Sequence, residues 1–298
     1  MLKKTRLRAI IALLIVALTL VLFVAFFVNN PNVVQQLKQV SVSTLITLFA
    51  LYIIFTFSIS LIVTATVKIC KAAITRKESF LLTSYSAVIN FFGPLQSGPA
   101  FRAIYLNQKH NVPIKKYTVA SVGYYVIYGL ISVLLLFSSY LGVFFVPILL
   151  LSLLVAGLVF YKFEGLSQKG LNNAAWLRLL AATLLQILIL IIIFGIELKT
   201  IQSDISWSQI LAYTGAANLA LFVSITPGAI GFREAFLVFS QRLHGIDTST
   251  IVAANTIDRG VYVIMLIGLS LLIAITHSKD RFQLTSQGNK PVKASASE

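Results

Sequence analysis

The sequence predicts an all-α, polytopic membrane protein with about six full spans and two broken, re-entrant helical hairpins that form an inverted repeat. Of its 298 residues, 58% are hydrophobic and 11% are charged, whereas soluble domains carry about 45–50% apolar and about 25% charged residues. Long apolar runs, such as 10–28 and 179–196, match a hydrocarbon core of about 30 Å at about 1.5 Å per helical residue. This composition excludes a soluble enzyme, a fibrous protein and a disordered chain.

The positive charge of the chain is explained by a membrane rather than by nucleic acid. Lysine and arginine number 24 against 9 acidic residues, which gives a net charge of +15. No basic stretch is interleaved with stacking aromatic residues, so no nucleic-acid partner is predicted. Basic loops instead hold spans against an anionic cytoplasmic leaflet. Because Cys70 is the single cysteine and the three histidines are scattered, neither a metal site nor a cofactor is predicted.

The full spans follow one another along the chain. The first, at about 9–28, is predicted to be a retained helix, because the residues after its apolar run offer no small-residue cleavage site. The further predicted spans are 42–66, 117–137, 142–161, 179–196 and 250–276. The basic loops after residues 66 and 161 should lie in the cytoplasm, which places 197–207, with Glu197, in an external loop.

These spans predict one integral membrane domain over 1–277, with repeat halves at about 42–161 and 179–277. The polar, basic segment 278–298 is predicted to be a disordered cytoplasmic tail. Both termini are therefore expected in the cytoplasm, with the protein in the cytoplasmic membrane.

Two stretches, 80–106 and 210–243, do not fit simple crossings, because glycine and proline interrupt them. Pro-x-x-x-Gly occurs in both stretches, displaced by 133 residues, and each copy is followed by an arginine, a polar turn and a long helix. Broken backbone at membrane depth must be buried in protein or line a wet cavity. The helix-breaking residues predicted to line such a site are Pro94, Gly98, Pro227, Gly228 and Gly231.

Five ionisable residues are not explained by anchoring in loops: Arg102, Arg233, Glu234, Asp258 and Arg259. An arginine at the bilayer centre costs about 2.5–3.5 kcal/mol on insertion scales, so these residues should face partners, water or an anionic ligand. In the functional interpretation, the arginines and freed helix N-termini bind a lipid phosphate. In the structural one, Arg102 snorkels to the interface, and the other two arginines pair with Glu234 or Asp258 to lock helices.

Signatures of membrane enzymes are missing from the sequence, so no catalytic residue is predicted and the chain is not expected to be an enzyme. It has no Gly-x-Ser-Gly motif with a distant helical histidine and no His-Glu-x-x-His motif. It also has no acidic pair in the first outer loop and no Walker loop. Any transport is therefore expected to be driven by a gradient or by a partner.

The chain resembles the membrane region of lysylphosphatidylglycerol synthetases, a flippase-like family, over roughly residues 5–277. In the first half the resemblance lies in Asn90, Pro94, Gly98 and Arg102, spaced four apart. In the second half it lies in Thr226-Pro-Gly-Ala-Ile-Gly-Phe-Arg-Glu234, followed by Asp258-Arg259.

The chain departs from the family pattern at two places. The family usually has an acidic residue where this chain has Pro99, and a Glu-Arg pair with a nearby Asp where this chain has Gly123, Tyr124, Tyr125 and Tyr128. No aminoacyl-transferase domain follows the last helix, so the chain is expected to be a stand-alone member that does not attach lysine to lipid.

The resemblance implies translocation of an anionic phospholipid or lipid-linked head group between leaflets, through a cavity between two repeats with re-entrant helices. Two alternatives stay open. One is a non-transporting scaffold that recruits a separate lipid-modifying enzyme. The other is a membrane enzyme acting on polyprenyl-phosphate lipids. In each case the expected partners are membrane lipids.

Overall fold

The protein is helical throughout the part that the computed structural model describes, which is residues 40–92, 97–165, 173–223 and 232–277 with positions 28, 31, 35 and 38. This agrees with the predicted all-α class. The first predicted span at 9–28 lies outside the described residues apart from Val28, as do the tail from residue 278 onward and the two predicted helix breaks.

Five helices are long and apolar enough to cross a membrane. Each corresponds to a span predicted from the sequence, and the polytopic architecture is confirmed. Ser41 caps the first of them, since its Oγ accepts a hydrogen bond from the Thr44 amide at 3.1 Å. All five come from the part of the chain that the structure describes. Four lie within α1 (Val42–Ile69), α4 (Ile114–Leu136), α7 (Asn173–Ile201) and α11 (Thr248–His277). The fifth, Ser138–Val155, runs from α5 (Ser138–Leu141) into the first half of α6 (Phe145–Gly165), and the shorter helices of this numbering are introduced below.

The first hairpin consists of α2 (Arg76–Phe92) and α3 (Ser97–His110). With 17 and 14 residues, these helices reach about 25 Å and about 21 Å, short of the roughly 30 Å needed to cross. The two helices contact each other at the tip of the hairpin and at its open end. At the tip, the Gly98 amide donates to the Asn90 Oδ1 at 3.3 Å. At the open end, the His110 Nε2 lies 2.7 Å from the Glu78 Oε1.

Gly98 is required for the close approach of these two helices. A Cβ at this position would lie 2.6 Å from the Ser86 carbonyl oxygen and 2.8 Å from the Asn90 Cβ. No side chain fits at such distances without moving α3 away from α2. The first-half glycine therefore has a packing role as well as a place in the helix-breaking motif.

The second hairpin consists of α8 (Trp207–Ala220), a 3₁₀ turn at Leu221–Val223, α9 (Phe232–Phe239) and α10 (Gln241–His244). Ser206 and Gln209 form a capping box that starts α8. The Gln209 Nε2 also donates to the Gly245 carbonyl at 3.1 Å, and the ring of Tyr213 packs edge-on against His244. The start of α8 therefore lies beside the end of α10, and this element is also a hairpin.

The two hairpins open toward opposite ends of the molecule, because they contact opposite ends of α4. At the N-terminal end of α4, Tyr117 packs with Leu106 and Val112 near the open end of the first hairpin. Beyond its C-terminal end, the Ser139 Oγ lies 2.6 Å from the Ser208 Oγ at the open end of the second. An inverted arrangement of the hairpins follows from these contacts.

The remaining elements complete the bundle. Helix α1 packs along α7, and α8 packs against α4. At the α8–α4 crossing, a Cβ at Gly215 would lie 2.5 Å from the Ser132 carbonyl oxygen. Between α4 and α6 the chain turns through α5 (Ser138–Leu141) and a 3₁₀ turn that starts at Gly142, whose φ of +50° favours glycine.

One prediction about the end of α7 is wrong. The helix does not stop at residue 196 but continues to Ile201, so Glu197 lies in the helix and not in an external loop. The side chain of Glu197 is fully buried. Charge counting placed this residue in a loop because it assumes that acidic residues avoid the bundle interior.

Candidate functional site

A cavity of about 250 Å³, with a mostly apolar lining and several charged and polar side chains, lies between the two hairpins. Asn90, Phe91 and Arg102 line it from the first hairpin, and Phe222 and Arg233 line it from the second. The long helices α1, α4, α7 and α11 supply the remaining wall. The cavity therefore lies between the two repeats, beside the described ends of α2 and of the 3₁₀ turn that follows α8.

Of the five ionisable residues singled out in the sequence, four line this single cavity: Arg102, Arg233, Asp258 and Arg259. The fifth, Glu234, lies beside it and contacts Arg259, with 3.6 Å between its Oε1 and the arginine Nε. The helix-breaking residues Pro94, Pro227, Gly228 and Gly231 lie outside the described residues, whereas Gly98 is buried in α3.

In the second half, Arg233 is held by a buried carboxylate. Its Nη1 donates to the Asp258 Oδ2 at 2.5 Å, and both residues are buried, with 5% and 3% of their surfaces exposed. The other oxygen of Asp258 accepts a hydrogen bond from the Tyr52 hydroxyl. The guanidinium also lies over the ring of Phe194, with 5.2 Å between its Cζ and the ring centroid. The charge of Arg233 is compensated within the protein.

The pairing between α9 and α11 joins two adjacent residues on each helix. Adjacent residues of α9, Arg233 and Glu234, meet the adjacent Asp258 and Arg259 of α11 with opposite signs. Asn255, one turn earlier in α11, donates from its Nδ2 to the Glu234 Oε1 at 2.6 Å. The helix-locking pairs of the structural interpretation are therefore present, in the combinations 233 with 258 and 234 with 259.

In the first half, Arg102 is surrounded by tyrosines instead. It interacts with Tyr117, Tyr124 and Tyr125, and donates a hydrogen bond to the Tyr125 hydroxyl. Among the described residues no carboxylate forms an ion pair with Arg102, and its Nε has no hydrogen-bond partner there. The neighbours of Arg102 satisfy part of its hydrogen bonding but leave its positive charge uncompensated.

Tyrosines of α4 lie between Arg102 and Arg233. Tyr124 and Tyr128 lie one helical turn apart with ring centroids at 5.8 Å, and Tyr128 interacts with Arg233. The Tyr124 hydroxyl donates to the Gln186 Oε1 of α7 at 3.0 Å. Hydroxyl groups therefore line the cavity wall from the first arginine toward the second.

The structure adds two polar side chains that were not among the predicted site residues. Asn218 lines the cavity with 1% of its surface exposed, and its amide has no hydrogen-bond partner within the described ranges. Glu197 lies behind the Arg233–Asp258 pair, with which it interacts. From the sequence, Asn218 could either bond carbonyls freed by the broken helix or form a contact between helices, and Glu197 is predicted to lie in a loop. The long apolar run that ends at Ile196, directly before Glu197, is the signal that could have placed it inside the bundle.

A metal centre is not present in the part of the chain that the structure describes. No group of three or more histidine, cysteine or acidic side chains comes close enough there to hold a metal ion. The polar groups of the cavity are guanidinium, hydroxyl and amide groups together with the Asp258 carboxylate, which is paired with Arg233. Guanidinium groups bind oxyanions through charge-assisted hydrogen bonds.

These features define a polytopic helical membrane protein in which two oppositely opening hairpins enclose a cationic cavity. The chain belongs to the family described as the lysylphosphatidylglycerol synthase TM region, whose model matches residues 9–270. The resemblance inferred from the two motifs is confirmed. No curated protein and no solved structure matches the chain.

Proposed function

We propose that this protein translocates an anionic phospholipid or a lipid-linked head group across the cytoplasmic membrane, and that the head group crosses through the cavity between the hairpins. The observation that carries this proposal is Arg102, a cavity-lining cation with no carboxylate ion-pair partner among the described residues. A cation in a low-dielectric cavity is stabilised by an anion, and a guanidinium binds two oxygens of a phosphate at once.

The shape of the site supports movement between leaflets rather than simple binding. The hairpins open toward opposite ends of the molecule, and the cavity lies between them. Two inverted halves around a central site are the arrangement used for alternating access in transporters. The tyrosine hydroxyls between Arg102 and Arg233 provide hydrogen-bonding groups along the way.

The proposed orientation has both termini in the cytoplasm. Four basic residues surround the turn from α1 to α2: Lys68 at the end of α1, Lys71 in the turn, and Arg76 and Lys77 at the start of α2. Such basic clusters are retained in the cytoplasm. The first hairpin then opens to the cytoplasm and the second to the outside. On this proposal the lipid is moved without chemical change, and a separate lipid-modifying enzyme supplies or consumes it.

Reconstitution tests the proposal. The protein is placed in phosphatidylcholine vesicles that contain a trace of phosphatidylglycerol labelled on its head group, and an impermeant quencher reports label that reaches the outer leaflet. We expect Arg102→Ala to slow this movement by about tenfold or more, because a charge-assisted hydrogen bond is worth about 1.5–3 kcal/mol. Arg242→Ala is the matched control, since Arg242 is exposed and does not line the cavity.

Two results would contradict the proposal. One is no faster movement in vesicles with the wild-type protein than in empty vesicles, and the other is equal movement with Arg102→Ala and wild type. Co-purification of a lipid-modifying enzyme without lipid movement would favour a scaffold. Formation of a new lipid product would favour an enzyme.

A further inference from the structure

Glu197 is a buried acid that the proposed binding of a head group does not use. None of its surface is exposed, and neither carboxylate oxygen has a hydrogen-bond partner within the described residues. It does not line the cavity but lies behind it, near Arg233 and Asp258. An acid placed inside a membrane bundle without a structural hydrogen bond needs an explanation.

The groups that face Glu197 come from four helices. Tyr52 of α1, Tyr213 of α8, Arg233 of α9 and Asp258 of α11 all interact with it. The only cation in this set is Arg233, whose charge is already balanced by Asp258 at 2.5 Å. A second negative charge on Glu197 would therefore be buried without compensation, which strongly disfavours the ionised form.

Neighbouring charges do not change this balance. Glu234 and Arg259, which also interact with the Arg233 cluster, form a pair of opposite sign. Helix α4 supplies Tyr128, a neutral group that interacts with Arg233. On α7 itself, the exposed Lys199 is directed to the ring of Trp207, at 5.0 Å from its centroid. The neutral carboxylic acid is the form of Glu197 that fits the cluster.

We propose that Glu197 is a proton-binding site whose proton is linked to the binding of an anion at the cavity. With the proton on its carboxyl oxygen, the cluster around Arg233 is neutral, and an anionic head group bound by Arg102 can occupy the cavity beside it. When the proton leaves to water, a carboxylate remains, and its charge repels the anion. By linkage, a bound anion holds the proton on Glu197, and loss of the proton releases the anion.

This inference deepens the proposed function, on which its second half rests, because it names the gradient that would drive directional transfer. A proton taken up from one side with the head group and released on the other side would make movement of an anion dependent on the proton gradient. The Tyr213 hydroxyl belongs to the same buried cluster, since it interacts electrostatically with Glu197 and has no hydrogen-bond partner among the described residues.

The proton site is tested first, without any lipid. Infrared difference spectra of the detergent-solubilised protein, recorded between about pH 6 and about pH 10, report the carbonyl stretch of protonated carboxylic acids. We expect a band that disappears as pH rises in the wild type and that is absent in Glu197→Gln. Asp204→Asn, which removes an exposed carboxyl outside the cluster, keeps the band. Identical spectra for the wild type and Glu197→Gln would overturn the proton site.

The linkage is tested with short-chain phosphatidylglycerol as the probe. We expect its affinity for the wild type to fall about tenfold between about pH 6 and about pH 9. Glu197→Gln, which mimics the protonated acid, should bind with the low-pH affinity throughout. Asp204→Asn should behave as the wild type does.

The outcomes separate this inference from the proposed function. Wild-type affinity that does not change with pH overturns the linkage and leaves anion binding intact. Absence of phosphatidylglycerol binding at every pH contradicts the proposed ligand class and the linkage together, and the infrared titration still decides whether Glu197 carries a proton.

Discussion

The two halves of this membrane domain differ in where the charges of their hairpins are compensated. At the tip of the second hairpin, Arg233 is neutralised by Asp258, and the open end of that hairpin is held by neutral groups, with Gln209 donating to the Gly245 carbonyl. At the tip of the first, Arg102 has tyrosine neighbours, and the open end is held by the ionisable Glu78. Charge compensation is at the tip in one half and at the open end in the other.

The difference indicates which half holds the structure and which half meets the ligand. A guanidinium paired with a carboxylate has little to gain from a phosphate, because the anion must displace an existing partner. A guanidinium among hydroxyls keeps its charge available. The tyrosines at positions where the family usually has charged residues therefore favour a division of labour, in which Arg233 holds α9 against α11 and Arg102 receives the anion.

The largest expected effect is on the second tip. Asp258→Asn removes the carboxylate that compensates Arg233 and leaves a buried charge, so we expect unfolding to become easier by about 3–5 kcal/mol. Arg102→Gln, which removes a cation without such a partner, should cost about 1 kcal/mol. Reversible unfolding in mixed detergent micelles measures both. Equal losses of stability in the two variants would contradict the distinction between the two tips. Adding Arg233→Gln to Asp258→Asn removes the buried charge and should recover part of the stability.

The next comparison concerns two tyrosine hydroxyls, that of Tyr52 beside Asp258 and that of Tyr125 beside Arg102. Tyr52→Phe removes a donor to the ionised Asp258, and hydrogen bonds to charged groups are worth about 1.5–3 kcal/mol. Tyr125→Phe removes an acceptor for Arg102, which is only half-buried, so water can replace the lost bond and the loss of stability should be smaller, at about 0.5–1.5 kcal/mol. The same unfolding measurement decides. A larger loss for Tyr125→Phe would mean that Arg102 depends on its neighbours more than Arg233 does.

Both hairpins depend on a glycine at a helix crossing, and here the halves should behave alike. An alanine Cβ would lie 2.6 Å from the Ser86 carbonyl oxygen at Gly98, and 2.5 Å from the Ser132 carbonyl oxygen at Gly215. We expect each Gly→Ala variant to lose about 1–3 kcal/mol, because the backbone must move apart. Gly260→Ala is the control, since nothing lies within 4 Å of the added methyl. A destabilised control would point to a general helix effect instead.

Most of the fold follows from the sequence, because the length of an apolar run is fixed by the thickness of the membrane. The five described spans agree with the predicted ones, and Gly98 could be singled out because glycine permits a close approach. The partner of Arg233 could not be chosen from the sequence. Glu234 is adjacent in the chain, but successive residues of a helix do not face each other, and Asp258 on α11 is the residue that tertiary packing brings into contact.

Glu197 shows the limit of reasoning from charge alone. Its position after an apolar run fits either a helix end or a buried turn, and the two differ only in how α7 packs against its neighbours. The positive-inside rule describes loops and does not address an acid whose neighbours inside the bundle are Arg233 and tyrosines. Such acids are found only when the helices are placed together.

The smallest expected effect concerns the open end of the first hairpin, which is held by an ion pair, whereas no ion pair holds the open end of the second hairpin among the described residues. Burial opposes ionisation of Glu78, but hydrogen bonds from His110, Tyr105 and Lys109 outweigh it and lower the pKa of Glu78 from 4.5 to about 2. A lowered carboxyl pKa stabilises the folded state at pH values above the ordinary pKa, and that contribution is lost as pH falls from about 4.5 to about 2.

Because Lys109 is 55% exposed, solvent screens the cluster, and we expect the free energy of unfolding to fall by about 1 kcal/mol. Thermal unfolding of the wild type and Glu78→Gln across this interval should converge at low pH, and curves that stay parallel would show that this carboxylate does not hold the hairpin closed.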